Sequence, residues 1–163
     1  MVHKSTLVLL VFVGLMNFCV SESYTGLLNP GETVTINRLT FDATEISLEK
    51  ATEIYVKEVT QEEIGLDFHP VYNQVSSYYQ YGSLKEVFLF HNWVKVSVPL
   101  PEGISTNELR VLFYNPPGSS THSNEPSWSA SKASYDRATH TAFFPTNYFG
   151  PDGIVFTLAY ADK

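Results

Sequence analysis

Four imidazoles, a run of carboxylates and a tyrosine-rich stretch are the side chains able to do chemistry in this 163-residue chain. Past the first twenty residues the histidines are His69, His91, His122 and His140. No two stand at the i, i+4 spacing of a helical metal ligand pair, and no HExxH or HxH occurs, so a closed zinc site has no local support. A nucleophilic serine would announce itself by a GxSxG elbow, and none is present. The phosphate-binding loop and the dinucleotide fingerprint are also absent. A small hydrolase would then need a serine or carboxylate brought beside His91 or His140 by the fold.

The carboxylates concentrate between Asp42 and Asp67, where eight acids accompany two lysines. Asp42, Glu45, Glu62, Glu63 and Asp67 could offer oxygens to calcium if one end of the fold gathered them, although no DxDxDG loop occurs. Glu62 and Glu63 are poor partners for paired-carboxylate hydrolysis if they lie on a strand, because neighbouring side chains there point opposite ways. A solvated acidic face is the simpler expectation, with no metal and no cofactor.

The third group is Tyr72, Tyr78, Tyr79 and Tyr81 in VYNQVSSYYQYGS. Tyrosine interleaved with serine, asparagine and glutamine makes adaptable contact surfaces. Alternation on a strand would send half of these rings inward. The expected contact surface is therefore Tyr78, Tyr79 and Tyr81 together with Trp128, provided that the rings share an exposed side.

These residues must be positioned by strands, because the dominant hydrophobic period is two. Glu32–Phe41 is rich in Thr, Val and Ile. Thr44–Glu49 and Thr52–Val59 follow, the latter preferred as strand over an amphipathic helix because Ile54 and Val56 are β-branched. Leu84–Phe90 is a continuous apolar run, which predicts a strand buried on both faces. Val94, Val96 and Val98 alternate with Lys95 and Ser97; Leu109, Val111 and Phe113 repeat the pattern. Ala138–Phe144 and Ile154–Tyr160 complete the set. Pro-Gly turns fall between them at Asn29-Pro30-Gly31, Pro99–Gly103, Asn115–Gly118 and Gly150–Gly153. The segment Asn115–Ser134, with seven Ser and three Pro, predicts an exposed loop with one short strand around Trp128. The whole reads as an antiparallel Ig-like β-sandwich of about eight to nine strands.

The first residues predict an export signal. His3 and Lys4 precede the apolar run Thr6–Val20, too short to span a bilayer comfortably, and Cys19 and Ser21 suit cleavage before Glu22. The expected organisation is residues 1–21 as signal peptide and 22–163 as one secreted domain. The single Cys would leave with the leader, so no disulfide is expected. The net charge of -7 with ten Lys and Arg argues against a nucleic-acid binder.

From Tyr72 onward the order of motifs resembles the ZU5-like and related Ig-like sandwich modules of extracellular proteins. The resemblance rests on Val96, Val98, Pro99, Leu100 and Pro101, then Trp128, Phe144, Thr146, Tyr148, Phe149 and Leu158. The chain departs from that pattern at Tyr148, where a His is usual, and at Pro145, which interrupts the strand. The resemblance covers about residues 72–160 and implies a non-catalytic interaction module. The resulting expectation is a secreted module binding an extracellular protein or glycan. The alternatives are an effector docking on membranes through the same rings, a small secreted hydrolase, or a self-associating coat protein.

Overall fold

The computed structural model describes residues 22–44, 48–89, 92–104, 108–119 and 124–161. The expected leader, with Cys19, lies outside these residues, as do Glu45, His91 and His122.

Alternating sequence becomes alternating burial. In β4 (Thr52–Val59), Ile54 and Val56 are fully buried and Glu53 and Glu58 are exposed. In β8 (Val94–Pro99), Val94, Val96 and Val98 are fully buried and Lys95 is exposed. Such half-buried strands need a second layer to cover their apolar side.

Two antiparallel sheets supply it. The large one is seven-stranded and contains β1 (Ser23–Leu28), β4, β6 (Tyr78–Ser83), β14 (Ile154–Ala161), β9 (Leu109–Asn115) and β10 (Ser127–Lys132), in that order, with β5 (Tyr72–Gln74) also paired to β14. The five-stranded sheet runs β11 (Ser134–Asp136), β12 (Thr141–Thr146), β8, β3 (Leu39–Asp42), β2 (Thr33–Ile36). A two-stranded pair joins β13 (Tyr148–Phe149) to β7 (Val87–Phe88). The chain is thus all-β and sandwich-like, with more and shorter strands than the sequence pattern suggests. Glu32–Phe41 holds two of them, a hairpin that turns at Asn37, with φ 55°.

Between the sheets, rings pack edge to face. Tyr81 meets Phe41 and Phe156 with centroids 5.7 Å away in each case, and Phe144 meets Phe156 at 4.9 Å. Phe113 closes on Phe144 at 5.5 Å. These edge-to-face contacts set the ring's positive rim against its neighbour's negative face.

Four sequence expectations change. Pro145 does not interrupt its strand: it lies within β12, opposite Lys95 on β8. Leu84–Phe90 is not a doubly buried strand: among its described residues only Val87–Phe88 pairs, and Leu84 and Phe88 are 76% and 57% exposed. Thr44–Glu49 contributes no strand among its described residues. Glu62 and Glu63 lie on a helical turn, α1 (Gln61–Ile64), not on a strand. Thr60 caps that turn: its hydroxyl accepts from Glu63 N, and the Glu63 carboxylate accepts from Thr60 N at 2.7 Å. This reciprocal pair satisfies two otherwise orphaned amides.

Candidate functional site

The four residues expected to form a contact surface separate. Tyr81 is wholly buried between the sheets, where its hydroxyl donates to Thr146 Oγ1 across the core at 2.9 Å. Burial pushes its pKa far above the ordinary tyrosine value, against the smaller opposing pull of Thr146. Tyr79, only 3% exposed, belongs to the same core. Both are corrections: alternation on β6 sends Tyr79 and Tyr81 inward, away from Trp128, although Tyr79 still borders a depression with Arg38, Gln74 and Tyr160.

Tyr78 and Trp128 do meet, on the opposite side of the large sheet. Their rings stack with centroids 5.8 Å apart and 24° between planes. Tyr114 stands edge-on to Trp128 at 5.7 Å, and Phe68 lies 6.4 Å from both Tyr78 and Trp128. The segment after Thr60 roofs this cluster. Ile64, Leu66 and Phe68 come down on it, and Trp128 Nε1 donates to Asp67 O at 3.0 Å. Tyr78 retains only 6% exposure, and its hydroxyl has no hydrogen-bond partner among the described residues. The cluster is a second, smaller core, and the expected open Tyr/Trp patch is covered by the chain itself.

The calcium candidates also stay apart. Asp42 is on β3 in the smaller sheet, 2.7 Å from Lys95 Nζ. Burial raises its pKa, but hydrogen bonds from Lys95 and Thr44, with the lysine charge, outweigh that and hold it at about 2. Glu63 is committed to the α1 cap. Glu62 and Asp67 border a shallow depression with Gln61, Gly65 and Leu66. Among the described residues no three His, Cys, Asp or Glu converge as metal ligands. His69 Nδ1 accepts from Val71 N at 3.4 Å and His140 Nδ1 lies 3.1 Å from Tyr135 Oη, so neither imidazole is set against a serine or a carboxylate in these contacts.

A further groove lies elsewhere on the outer face of the large sheet, over β1, β4 and β6. It encloses about 360 Å³. Its floor is Tyr55, flanked along β4 by Glu53 and Lys57, which alternation sends to the same side. Ser23 and Thr25 line one wall from β1; Gln80, Leu84 and Pro151 line the other. The register explains the convergence: Lys57 is opposite both Ser23 and Gln80, and Tyr55 is opposite Thr25 and Gly82.

The turn Gly150–Gly153 is pinned over this surface. Tyr55 Oη donates to Pro151 O at 2.9 Å, and Gln80 Nε2 donates to Asp152 O at 2.6 Å. Burial raises the Tyr55 pKa, with the Asp152 charge adding to it, so the hydroxyl stays a donor. Two glycines make room. A Cβ on Gly82 would stand 2.4 Å from Gly150 O and 2.6 Å from Tyr55 Oη. Gly153, at φ 68°, takes a left-handed conformation that other residues rarely adopt. The result is a ring fixed by its own hydroxyl among donors and acceptors of both kinds.

Sequence reasoning missed Tyr55 although TEIYVKEV shows it alternating outward with Glu53 and Lys57. Its anchoring partner lies 96 residues further along the chain, a distance no local pattern spans.

No helix among the described residues is long and apolar enough to cross a membrane. No protein-family model matches this chain, and no curated protein matches it.

Proposed function

We propose that the chain is a secreted, non-catalytic β-sandwich module of Ig-like type that binds a neutral saccharide in the Tyr55 groove. The observation that carries this reading is the tethered ring of Tyr55 between Glu53 and Lys57, with the Gln80 side chain fixed beside it. A sugar ring has one face of C–H groups and a rim of hydroxyls. Tyr55 supplies an apolar face with little conformational entropy left to lose. Ser23, Thr25, Gln80, Glu53 and Lys57 supply donors and acceptors for the rim. Glu53 and Lys57 carry opposite charges side by side along β4, and the remaining rim groups are neutral, which suits a polar ligand without charge of its own. The ZU5-like resemblance over residues 72–160 and the apolar N-terminal run with its cleavage-compatible Ser21 support an extracellular interaction role.

The test is binding of neutral oligosaccharides, screened on an array and quantified by NMR titration. Tyr55→Ala is expected to weaken binding by at least about tenfold, or ~1.4 kcal/mol. Trp128→Ala should leave it unchanged. Absence of any saccharide ligand, or binding indifferent to Tyr55→Ala, would discard the reading.

A further inference from the structure

The two sides of the sandwich end differently. On one side lie β10 and β11, whose edges carry Lys132 and Asp136. On the other lie β1 and β2, with sequences SYTGLL and TVTI. Neither contains a charge or a proline. Open strand edges invite pairing with another strand, and charges, prolines and bulges are the usual means of preventing it. β1 has six residues paired in unbroken register to β4, with no bulge, and no described strand is hydrogen-bonded to its other side, although β2 packs against it where Ile36 meets Gly26. Tyr24 and Leu27 on this edge are 42% and 54% exposed.

From this edge we infer that β1 is an interface between two copies of the chain, joined antiparallel across a two-fold axis so that the large sheets become continuous. The occupant is a second copy because the strand is complementary to itself. With Thr25 at the axis, Ser23 faces Leu27 of the other copy and Thr25 faces its own counterpart. Two protomers of net charge -7 repel one another, and the approach least opposed by charge is through an uncharged strand. A six-residue edge is about 20 Å long, less contact than a standard interface, so the dimer is a reversible one. The inference concerns backbone pairing at the edge of the sheet and does not depend on any ligand in the groove.

Sedimentation velocity of the purified protein, without ligand, tests it from low to high micromolar concentration. The expected result is a dimer fraction that rises with concentration. Tyr24→Lys, at an exposed position on β1 that does not line the groove, should return the protein to monomer by placing a charge on the shared edge of both copies. Ser129→Lys, exposed on the opposite edge strand, should sediment like the parent. A parent that stays monomeric throughout would overturn the inference, as would a dimer that tolerates Tyr24→Lys or is dissociated by Ser129→Lys alone. Saccharide titration of the Tyr24→Lys monomer keeps the two proposals separate, because the groove residues are unchanged in it.

Discussion

The outer face of the large sheet is one surface with two halves. Over β6, β9 and β10 it carries Tyr78, Tyr114 and Trp128, and the segment behind Thr60 covers them with Ile64, Leu66 and Phe68. Over β1, β4 and β6 it carries Tyr55, Lys57 and Gln80, and the cover is only the short Gly150–Gly153 turn, held by two side-chain hydrogen bonds. Both halves are built around aromatic rings. They differ in what the chain lays on top. Apolar cover makes the first half part of the core, whereas polar tethering leaves the second half concave, with its donors and acceptors facing solvent. An aromatic ring thus marks a binding surface only where the protein does not bury it itself.

The largest expected effect comes from breaking the open half. Gly82→Val puts a side chain where Gly150 O and Tyr55 Oη stand, and should cost about 3 kcal/mol by overpacking. Urea unfolding monitored by Trp fluorescence measures it, and saccharide binding should disappear with it. A near-neutral result would mean that the turn is not held against β6 as described.

Next in size is Trp128→Ala, which strips the covered half. It removes the stacked ring and the bond to Asp67 O, and a half-buried ring of this size should cost about 2 kcal/mol. Equilibrium denaturation followed by far-UV circular dichroism gives the value. The comparison sharpens if the same variant leaves the groove functional, and breaks if groove binding falls in step with stability.

The smallest change expected is a gain. Tyr78→Phe deletes a buried hydroxyl that no described residue bonds and keeps the stacked ring. Stability should rise by about 1 kcal/mol, since an unpaired buried polar group costs on that order. A drop in the denaturation midpoint would show instead that the hydroxyl is serving an interaction.

The fold was largely legible where one face of a strand is wet. Val94, Val96 and Val98 show the pleat directly, as do Leu109 and Val111, and each lands in the core. The short strand expected around Trp128 is β10. Legibility failed where the chain departs from that condition. LKEVFLF reads as a continuous apolar strand, yet Leu84 and Phe88 turn outward at a sheet end and only two of its described residues pair. α1 was written in the sequence as Thr60 with Glu63 three residues later, a capping box, but four residues are too few for a 3.6 period to register. Among the candidate residues, alternation correctly implied that half the tyrosines point inward. It could not tell that the outward one, Tyr78, would be roofed, because the roof comes from a different stretch of chain. The same non-local logic hid Tyr55.

One consequence of the topology concerns the order of manufacture. Ile154–Ala161 sits in the middle of the large sheet, hydrogen-bonded to β6 on one side and to β9 on the other. It is also translated after both of them. At ribosomal speeds of about 5–20 residues per second, the nascent chain spends seconds with β6 and β9 made and nothing to join them. The bridging strand arrives late and closes the sheet by insertion, so a product truncated before Ile154 would hold two unjoined ribbons with bare inner borders, material for proteolysis and not for assembly.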